Sequence, residues 1–340
     1  MHAREVVLIL ISGYEIDLER ALDIIKRAGV RMVGVQVPDG LKRSAPEISG
    51  IIEETGAEVL VSGDPCYGAC DIDLQLCSMV DLMVHIGHSE MCESLSDRIV
   101  YIEARMPDDV TEVVERSLEF FTKERVAVCT TIQHAHMIDR VIGILRSHGI
   151  EALAGGPSPR TRHIGQVLGC CYAAARVGAD EALFIGTGRF HPLGLSMATG
   201  MRVIAADPVT GSVEEIETHD FLRWRYGIIA RASDAKSIGI LISKKPGQRR
   251  CVTARRLSSL GRSKGKNMLD VCIDRIEPER IVDLGLESVV STACPRIALD
   301  DARRYGVPVL TPPEFEIALG MRNDYTFDEI PEACGEPEST

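Results

Sequence analysis

The sequence GDPCYGACDID, Gly63 to Asp73, places two cysteines on a loop directly after the short apolar run EVLVS, Glu58 to Ser62. The apolar run predicts a short buried strand, and Gly63, Pro65 and Gly68 end regular structure behind it. Open α/β proteins bind their ligands at the carboxyl ends of such strands. The loop therefore predicts either a pair of functional thiols or two small buried side chains.

Strands and helices alternate around this loop, and the pattern is repeated three times along the chain. The predicted strands are 33–37, 58–62, 82–86 and 99–104, then 125–130, 150–154, 181–185 and 201–206, then 237–243, 268–273, 288–291 and 307–310. The predicted helices are 17–27, 45–55, one ending near residue 80, 135–147, one ending at 177, 253–263, 278–284 and one ending at 305. This alternation is typical of parallel α/β structure.

A threefold repeat of this kind predicts three pseudo-repeated parallel-sheet α/β domains around a central site. We expect domain 1 at residues 1–107, domain 2 at 108–212 and domain 3 at 213–325, followed by an acidic C-terminal tail at 326–340.

The composition is that of a cytoplasmic protein with aliphatic cores. Of the 340 residues, 45% are hydrophobic but only 4% aromatic, as expected for parallel sheets rich in Val, Ile and Leu. No apolar run is long enough to span a membrane, and no signal peptide is expected. The net charge of −12 argues against direct nucleic-acid binding.

The eleven cysteines favour metal or redox chemistry over a disulfide framework, because the number is odd and the chain has no secretory features. Each of the three repeats has a cysteine on a loop that follows a strand. These cysteines are Cys70, Cys170 and Cys294. If the three sheets face a common axis, three thiolates meet at one point. Three thiolates with one open position are what a 4Fe-4S cluster with a substrate-accessible iron requires.

Four motifs in order give the sequence a family resemblance. They are YGACD at Tyr67–Asp71, TRHIGQVLGC at Thr161–Cys170, GRFHPLG at Gly188–Gly194 and TACPR at Thr292–Arg296. Together they resemble the archaeal diphthamide-biosynthesis enzymes, the 2-(3-amino-3-carboxypropyl)histidine synthase family. The resemblance spans all three rounds.

The resemblance implies metal ligands, a reaction and partners. The family's ligands to a 4Fe-4S cluster match Cys70, Cys170 and Cys294, whereas Cys66 and Cys171 are extra neighbours. The implied reaction uses radical chemistry to transfer the 3-amino-3-carboxypropyl group of S-adenosyl-L-methionine to the imidazole C2 of a histidine. That histidine belongs to translation elongation factor 2, and the modification is the first step of diphthamide biosynthesis. A homodimer is also implied, and the electron donor is unknown.

Several polar residues near these motifs are candidates for contact with the cosubstrate or for proton transfer. Arg162, His163 and Gln166 precede Cys170 at an expected helix start, and Arg296 follows Cys294; these four are the predicted S-adenosylmethionine-binding residues. The predicted catalytic residues are His163, His191 and His88. Each has a structural alternative, such as a cap, a buried ion pair or a hydrogen-bonded core group.

Two other functions fit the same pattern. Quinolinate synthase also has three α/β units that each supply one cysteine to a 4Fe-4S cluster. If the chain resembles that enzyme, it is a lyase. A noncatalytic iron–sulfur accessory subunit is the second alternative.

A basic segment opposes the overall acidity. Residues Lys244–Lys266 contain nine Lys or Arg and no acid, which suits either an acidic partner or a solvated helix face.

Overall fold

The computed structural model describes residues 8–91 and 96–332. Cys92, Cys334 and residues 333–340 of the expected tail lie outside the described residues. The strands, in chain order, are β1 (Leu8–Ile11), β2 (Tyr14–Asp17), β3 (Met32–Gln36), β4 (Glu58–Val61), β5 (Leu82–Ile86), β6 (Ile99–Ile102), β7 (Ala104–Arg105), β8 (Arg125–Thr130), β9 (Glu151–Leu153), β10 (Glu181–Ile185), β11 (Arg202–Asp207), β12 (Ser212–Glu215), β13 (Ser237–Ser243), β14 (Asn267–Ile273), β15 (Ser288–Ser291) and β16 (Val309–Leu310).

The helices follow the strands in alternation. They are α1 (Glu19–Ala28), α2 (Ala45–Glu53), α3 (Leu74–Met79), α4 (Thr111–Ser117), α5 (Ile138–Ser147), α6 (Phe190–Thr199), α7 (His219–Ser233), α8 (Cys251–Ser263), α9 (Pro278–Val282), α10 (Pro295–Leu299) and α11 (Pro312–Ala318). None of the helices within residues 8–91 and 96–332 has the length and apolarity to cross a lipid bilayer.

Three sheets of mainly parallel strands confirm the predicted α/β fold. Their strand orders are β4-β3-β5-β6, β9-β8-β10-β11-β12 and β14-β13-β15-β16. In each sheet the second strand along the chain lies at one edge, beside the first, and the third and fourth follow on the other side. All pairs in the first and third sheets are parallel, and β12 alone pairs antiparallel in the second. A separate antiparallel sheet joins β1, β2 and β7.

The central strands explain the aliphatic composition. Every residue of β5 and of β10 is buried, because helices or loops cover both faces of the sheet at these positions. Five clusters of buried aliphatic residues fill the space between the sheets and the helices that cover them. The carboxyl ends of the strands, with the loops that follow them, are left to form sites.

Three sequence-based expectations are wrong in detail. The strand before the first cysteine loop, β4, is largely exposed, because it is an edge strand. No helix runs from Cys170 to residue 177; the segment consists of turns with one 3-10 turn at Ala173–Ala175. The helix expected to end at Tyr305 stops with α10, and a 3-10 turn at Ala302–Arg304 follows.

The expected domain limits are only partly visible in the sheets. Strand β12 pairs with β11 and extends the second sheet to Glu215, beyond the boundary expected after residue 212. The division into domains at residues 107, 212 and 325 otherwise stays a prediction.

A buried ion pair joins four elements of the third sheet region. Arg225 on α7 and Glu314 on α11 have fully buried side chains, and their two contacts measure 2.7 and 2.6 Å. The guanidinium also donates to the carbonyls of Ala298 and Val309, and Thr311 donates its backbone N–H to Glu314. Loss of either charge therefore leaves the other charge buried without its ionic partner.

We expect Glu314→Gln to lower the free energy of unfolding by about 3 kcal/mol, because it leaves the Arg225 charge buried without its partner. Thermal unfolding followed by fluorescence of Trp224, whose ring lies 5.1 Å from the Arg225 guanidinium carbon, measures the change. Asp220→Asn is the control, since Asp220 is 91% exposed in its ion pair with Arg223. Its effect should stay within about 0.5 kcal/mol. Equal effects of the two variants would contradict the role given to the buried pair.

Candidate metal centre

Cys70, Cys170 and Cys294 come from three distant loops and lie close enough to affect one another electrostatically. Burial, together with the nearby Cys170 and Cys70 thiols, raises the pKa of Cys294 to about 12. Burial also raises the pKa of Cys170 to about 11, although the nearby guanidinium of Arg160 lowers it and Cys70 raises it. Without a bound cation the Cys170 and Cys294 thiols are protonated at neutral pH. A metal that takes them as thiolates must replace their protons.

Two glycines leave room around the first thiol. A Cβ on Gly247 would lie 2.5 Å from the Cβ of Cys70, and one on Gly68 would lie 3.2 Å from the Cys70 sulfur. Gly247 also donates its N–H to the Cys70 carbonyl at 3.3 Å. Gln248 donates its amide N–H to the Cys70 sulfur at 3.2 Å. The loop after β13 therefore contacts the first cysteine loop backbone to backbone and supplies a donor to its sulfur.

Arg160 lies among the same three segments. Its side chain is buried, and its guanidinium donates to the carbonyl of Gly247 at 3.0 Å and to the carbonyl of Glu332. It also hydrogen bonds with Cys170 and interacts with the charge of Cys70. A fixed positive charge therefore lies beside two of the three thiols, where it favours their anionic forms.

The segment from Phe327 to Glu332, placed in an acidic tail by the sequence analysis, is packed against this centre. Phe327, Asp328 and Ile330 are buried, and Ile330 donates its N–H to the Cys170 carbonyl at 2.8 Å. Apolar side chains and the ion pair between Asp328 and Arg250 hold this part of the expected tail in place.

Other cysteines lie nearby or in cores. Burial, with smaller contributions from Asp71 and Cys70, raises the pKa of Cys66 to about 12, so this thiol lies near the first ligand candidate. The Cys171 sulfur lies 3.5 Å from the hydroxyl of Ser158. Cys77 packs in a small aliphatic cluster and Cys129 in a larger one. Cys272 is exposed.

Gln166 holds the loop before Cys170 together. Its side-chain oxygen accepts the backbone N–H groups of Arg162 and His163 at 2.9 and 3.1 Å, and its amide donates to Ser89 at 3.1 Å. The expected helix start is absent, since this segment bridges to Thr130 in extended form. Its backbone amides therefore do not form a helix-terminal anion site. Gln166 is 1% exposed, which suits a structural role.

His163 is paired with a carboxylate. Its Nε2 lies 2.5 Å from Glu103 Oε1. Burial raises the pKa of Glu103, but hydrogen bonds and charge from His163 and Arg105 outweigh burial and lower it below the usual value. Because an ionised carboxylate only accepts, His163 donates from Nε2 and its Nδ1 stays available. Glu103 and Arg162 line a cavity of about 490 Å³.

Arg296 and His191 lie in a different cavity, of about 430 Å³, between the ends of β8 and β10 and the start of α10. The Arg296 guanidinium lies 4.7 Å from the centre of the Phe190 ring and is bonded to Asp300 at 2.6 Å. Burial, together with the charge of Arg296, lowers the pKa of His191 to about 4. The predicted polar residues are thus divided between two cavities.

His88 belongs to a third group of residues. Its Nδ1 lies 3.0 Å from Nε2 of His85, whose Nδ1 lies 3.0 Å from the side-chain oxygen of Gln36. Burial lowers the pKa of His88 to about 4. Asp71 and Asp73 have nearby structural roles: Asp71 pairs with Lys245 at 2.6 Å, and Asp73 caps α3 by accepting from Leu76 at 2.9 Å.

The basic segment is largely neutralised by neighbours. Arg250 is buried against Asp328 at 2.9 Å, and Arg256 pairs with Glu316 at 2.6 Å. Lys266 donates to two backbone carbonyls. Lys244, Arg249 and Arg255 are exposed. The exposed basic surface that could contact a partner is therefore smaller than the nine Lys and Arg residues of the segment suggested.

Arg160, Gly247, Gln248 and Gln36 were not singled out from the sequence. Their roles depend on contacts between distant segments, such as the 178 positions that separate Gln248 from Cys70. The one available signal was PGQ at residues 246–248, a breaker after an apolar strand like the one that marked the first cysteine loop.

Comparison with known proteins identifies relatives along nearly the whole chain. A family model described as "Putative diphthamide synthesis protein" matches residues 37–331. The 2-(3-amino-3-carboxypropyl)histidine synthase of Pyrococcus horikoshii is 38% identical over 321 residues, which cover 93% of this chain and 94% of that protein. The synthase of the same name from Methanocaldococcus jannaschii is 29% identical, with 87% of each chain covered.

Two crystal structures share the fold. Dph2 from Pyrococcus horikoshii superimposes with a TM-score of 0.89 at 36% identity, covering 98% of this chain and 97% of that chain. The same protein with a 4Fe-4S cluster gives a TM-score of 0.90 at 37% identity, covering 96% of both chains.

We expect His191 to titrate at about pH 4 and its pKa to rise in Arg296→Gln, because that variant removes a nearby positive charge. Histidine ring NMR across a pH titration measures this, with His191→Gln to assign the signal. Arg189→Gln is the control, since Arg189 lines the same cavity. An unchanged pKa in Arg296→Gln would contradict the assigned electrostatic effect.

The same shift predicts how stability depends on pH. The unfolded chain takes up this proton near pH 6.5 and the folded protein only near pH 4, so the fold loses stability as the pH falls through that range. The melting temperature should therefore fall less between pH 6.5 and 4 in His191→Gln than in the wild type.

Proposed function

Because this chain belongs to the diphthamide synthesis protein family, we propose that it transfers the 3-amino-3-carboxypropyl group of S-adenosylmethionine to a histidine of translation elongation factor 2. The chain is an enzyme of the 2-(3-amino-3-carboxypropyl)histidine synthase type, which makes the first intermediate of diphthamide. The observation that carries the proposal is the meeting of Cys70, Cys170 and Cys294 from three separate loops.

The residues at this meeting point fit a 4Fe-4S cluster. Three thiolates would bind three of the four irons, which leaves the fourth iron for the cosubstrate. Gly68 and Gly247 keep side chains away from Cys70, and Gln248 donates to its sulfur, as donors around cluster thiolates commonly do. Arg160 supplies a buried positive charge that compensates part of the negative charge of three thiolates. When bound, the cluster supplies the electron that breaks the bond from sulfur to the γ-carbon and leaves 5′-methylthioadenosine.

The chain's own residues orient the cosubstrate. We assign its aminocarboxylate to the cavity of Arg296, where an exposed guanidinium is held by Phe190 and Asp300 close behind Cys294. His191 lines the same cavity in its neutral form, so it donates or accepts a hydrogen bond without adding positive charge. Gln166 contributes by fixing the loop that carries Cys170, and it makes no contact with the cosubstrate.

His163 is suited to take the proton that the target imidazole loses from C2 when the new carbon bond forms; the electron lost with that proton would return to the cluster, so the transfer would consume no net electron. Glu103 holds the ring through Nε2, which directs the basic Nδ1 away from the carboxylate. The charge of Glu103 also stabilises the imidazolium that results. Arg162 lines the adjacent cavity, together with Glu103, and places a cation near the entry of the target segment.

The family match favours this function over the two alternatives. A quinolinate-synthase-like lyase would not release methylthioadenosine from S-adenosylmethionine. An accessory subunit would not modify elongation factor 2 by itself under anaerobic conditions with a chemical reductant. We further propose a cytoplasmic homodimer; exposed apolar side chains on β1 and β4, among them Leu10 and Val61, support a protein contact at these edges.

We expect Cys70→Ala, Cys170→Ala and Cys294→Ala each to abolish the brown absorbance of anaerobically purified protein and the formation of methylthioadenosine, because each removes one ligand. Cys77→Ala is the control, since Cys77 packs in a core away from the centre. Absorbance spectra and iron content measure the outcome. Retention of full iron content in any of the three variants would contradict the ligand assignment.

We expect Arg249→Glu to slow modification of elongation factor 2 about tenfold while sparing methylthioadenosine formation, because Arg249 is exposed beside the loop at Cys70. Lys264→Glu, at the far end of the same segment, is the control and should have little effect. Equal rates of protein modification in the two variants would show that the segment does not contact the elongation factor.

A further inference from the structure

A second set of ligand atoms lies beside the first cysteine loop and uses none of the three proposed cluster ligands. Cys66, His85 and His88 each offer one atom, and these atoms lie within 4.8 Å of one another. Cys66 and His85 are buried, and His88 is partly exposed. The set joins the loop after β4 to the end of β5. Its existence does not rest on the proposed function.

The orientation of His85 is fixed by the amide of Gln36. The Gln36 nitrogen donates to the carbonyl of Asp71 at 2.9 Å, and its oxygen accepts from the backbone N–H of Asp73 at 3.3 Å. The oxygen is therefore the atom that faces His85, and His85 must donate to it from Nδ1 at 3.0 Å. The remaining nitrogen of His85, Nε2, then presents a lone pair. Histidines that bind metals are oriented in this way by an acceptor behind the ring.

The lone pair of His85 is directed at His88. The two nitrogens, His85 Nε2 and His88 Nδ1, are 3.0 Å apart, so a single proton joins them. A tetrahedral ion with Zn–N bonds of about 2.0–2.1 Å would hold two imidazole nitrogens roughly 3.3 Å apart. A thiolate sulfur at about 2.3 Å from the ion would lie roughly 3.6 Å from each of them. The observed separations need adjustments of a few tenths of an ångström to about one ångström.

We propose that Cys66, His85 and His88 bind a zinc-class divalent ion, with a fourth position left for water. One sulfur and two imidazole nitrogens form the mixed donor set that suits zinc, and a site with three protein ligands keeps one position open. The ion replaces the proton between the histidines and the proton of the thiol. It ties the loop that carries Cys70 to the end of β5. In this role His88 is a metal ligand and is not the proton carrier expected from the sequence.

Metal analysis of the anaerobically purified full chain tests the proposal. The protein is incubated with zinc sulfate, passed through metal-free buffer with a weak chelator, and analysed for zinc and iron. We expect one zinc per chain in the wild type. In Cys66→Ser and His88→Gln, zinc affinity should fall about a hundredfold or more while iron content is kept. Cys272→Ser, which removes an exposed thiol, is the control and should keep both metals.

The variants separate this site from the cluster. Cys70→Ala should lose iron but retain zinc, so failure of the proposed cluster would leave the zinc result readable. Retained iron in Cys66→Ser shows that the variant folds, and His88→Gln provides an independent second test. Absence of zinc from the wild type, or equal zinc in the wild type and both variants, would overturn the proposal. Loss of iron together with zinc in Cys66→Ser would also overturn it, because Cys66 would then serve the cluster.

Discussion

A buried guanidinium between the loops of Cys70 and Cys170 is the constraint on which the rest of this centre depends. Arg160 is 1% exposed, so its donors must be satisfied by the protein. The acceptors come from Gly247, 87 positions later, and Glu332, 172 positions later. Cys170 and Cys70 lie in the same electrostatic environment. These segments are therefore held together by a charge that cannot reach solvent without separating them, which keeps the Cys70 and Cys170 thiols close to one another.

Much of the fold could be predicted from the sequence because the central parallel strands are continuous apolar runs. The runs at β5 and β10 needed no knowledge of neighbours. The edge strand β4 has the same apolar appearance, and only the strand order shows that it is exposed. The segment after Cys170 was expected to be helical, yet its Ala174 carbonyl accepts the backbone N–H of the distant Gly155 at 2.9 Å. Periodicity is a property of one segment, whereas such contacts involve two segments and cannot be read from either one alone.

The candidate site also has parts that the sequence could predict and parts that it could not. The three cysteines and the polar residues beside them were named from their loops and motifs, and their roles stay predictions, but the neighbours that surround each side chain could not be named. The side-chain oxygen of Gln166 accepts hydrogen bonds from the backbone of its own loop. The His163 ring is hydrogen bonded to Glu103, 60 positions earlier. Although the strand order is repeated, Cys294 follows the third strand of its sheet, whereas Cys70 and Cys170 follow the second. Symmetry of the sheets thus does not extend to the loops that carry the thiols.

The bond from Ile330 to the Cys170 carbonyl has a consequence for biogenesis. On a ribosome the second cysteine emerges long before residues 327–332, and so does Arg160, whose carbonyl acceptor at Glu332 is then missing. The nascent polypeptide can form its individual sheets while translation continues, since their strands are local. The surroundings of Arg160 and of the Cys170 loop are therefore complete only after synthesis has passed Glu332.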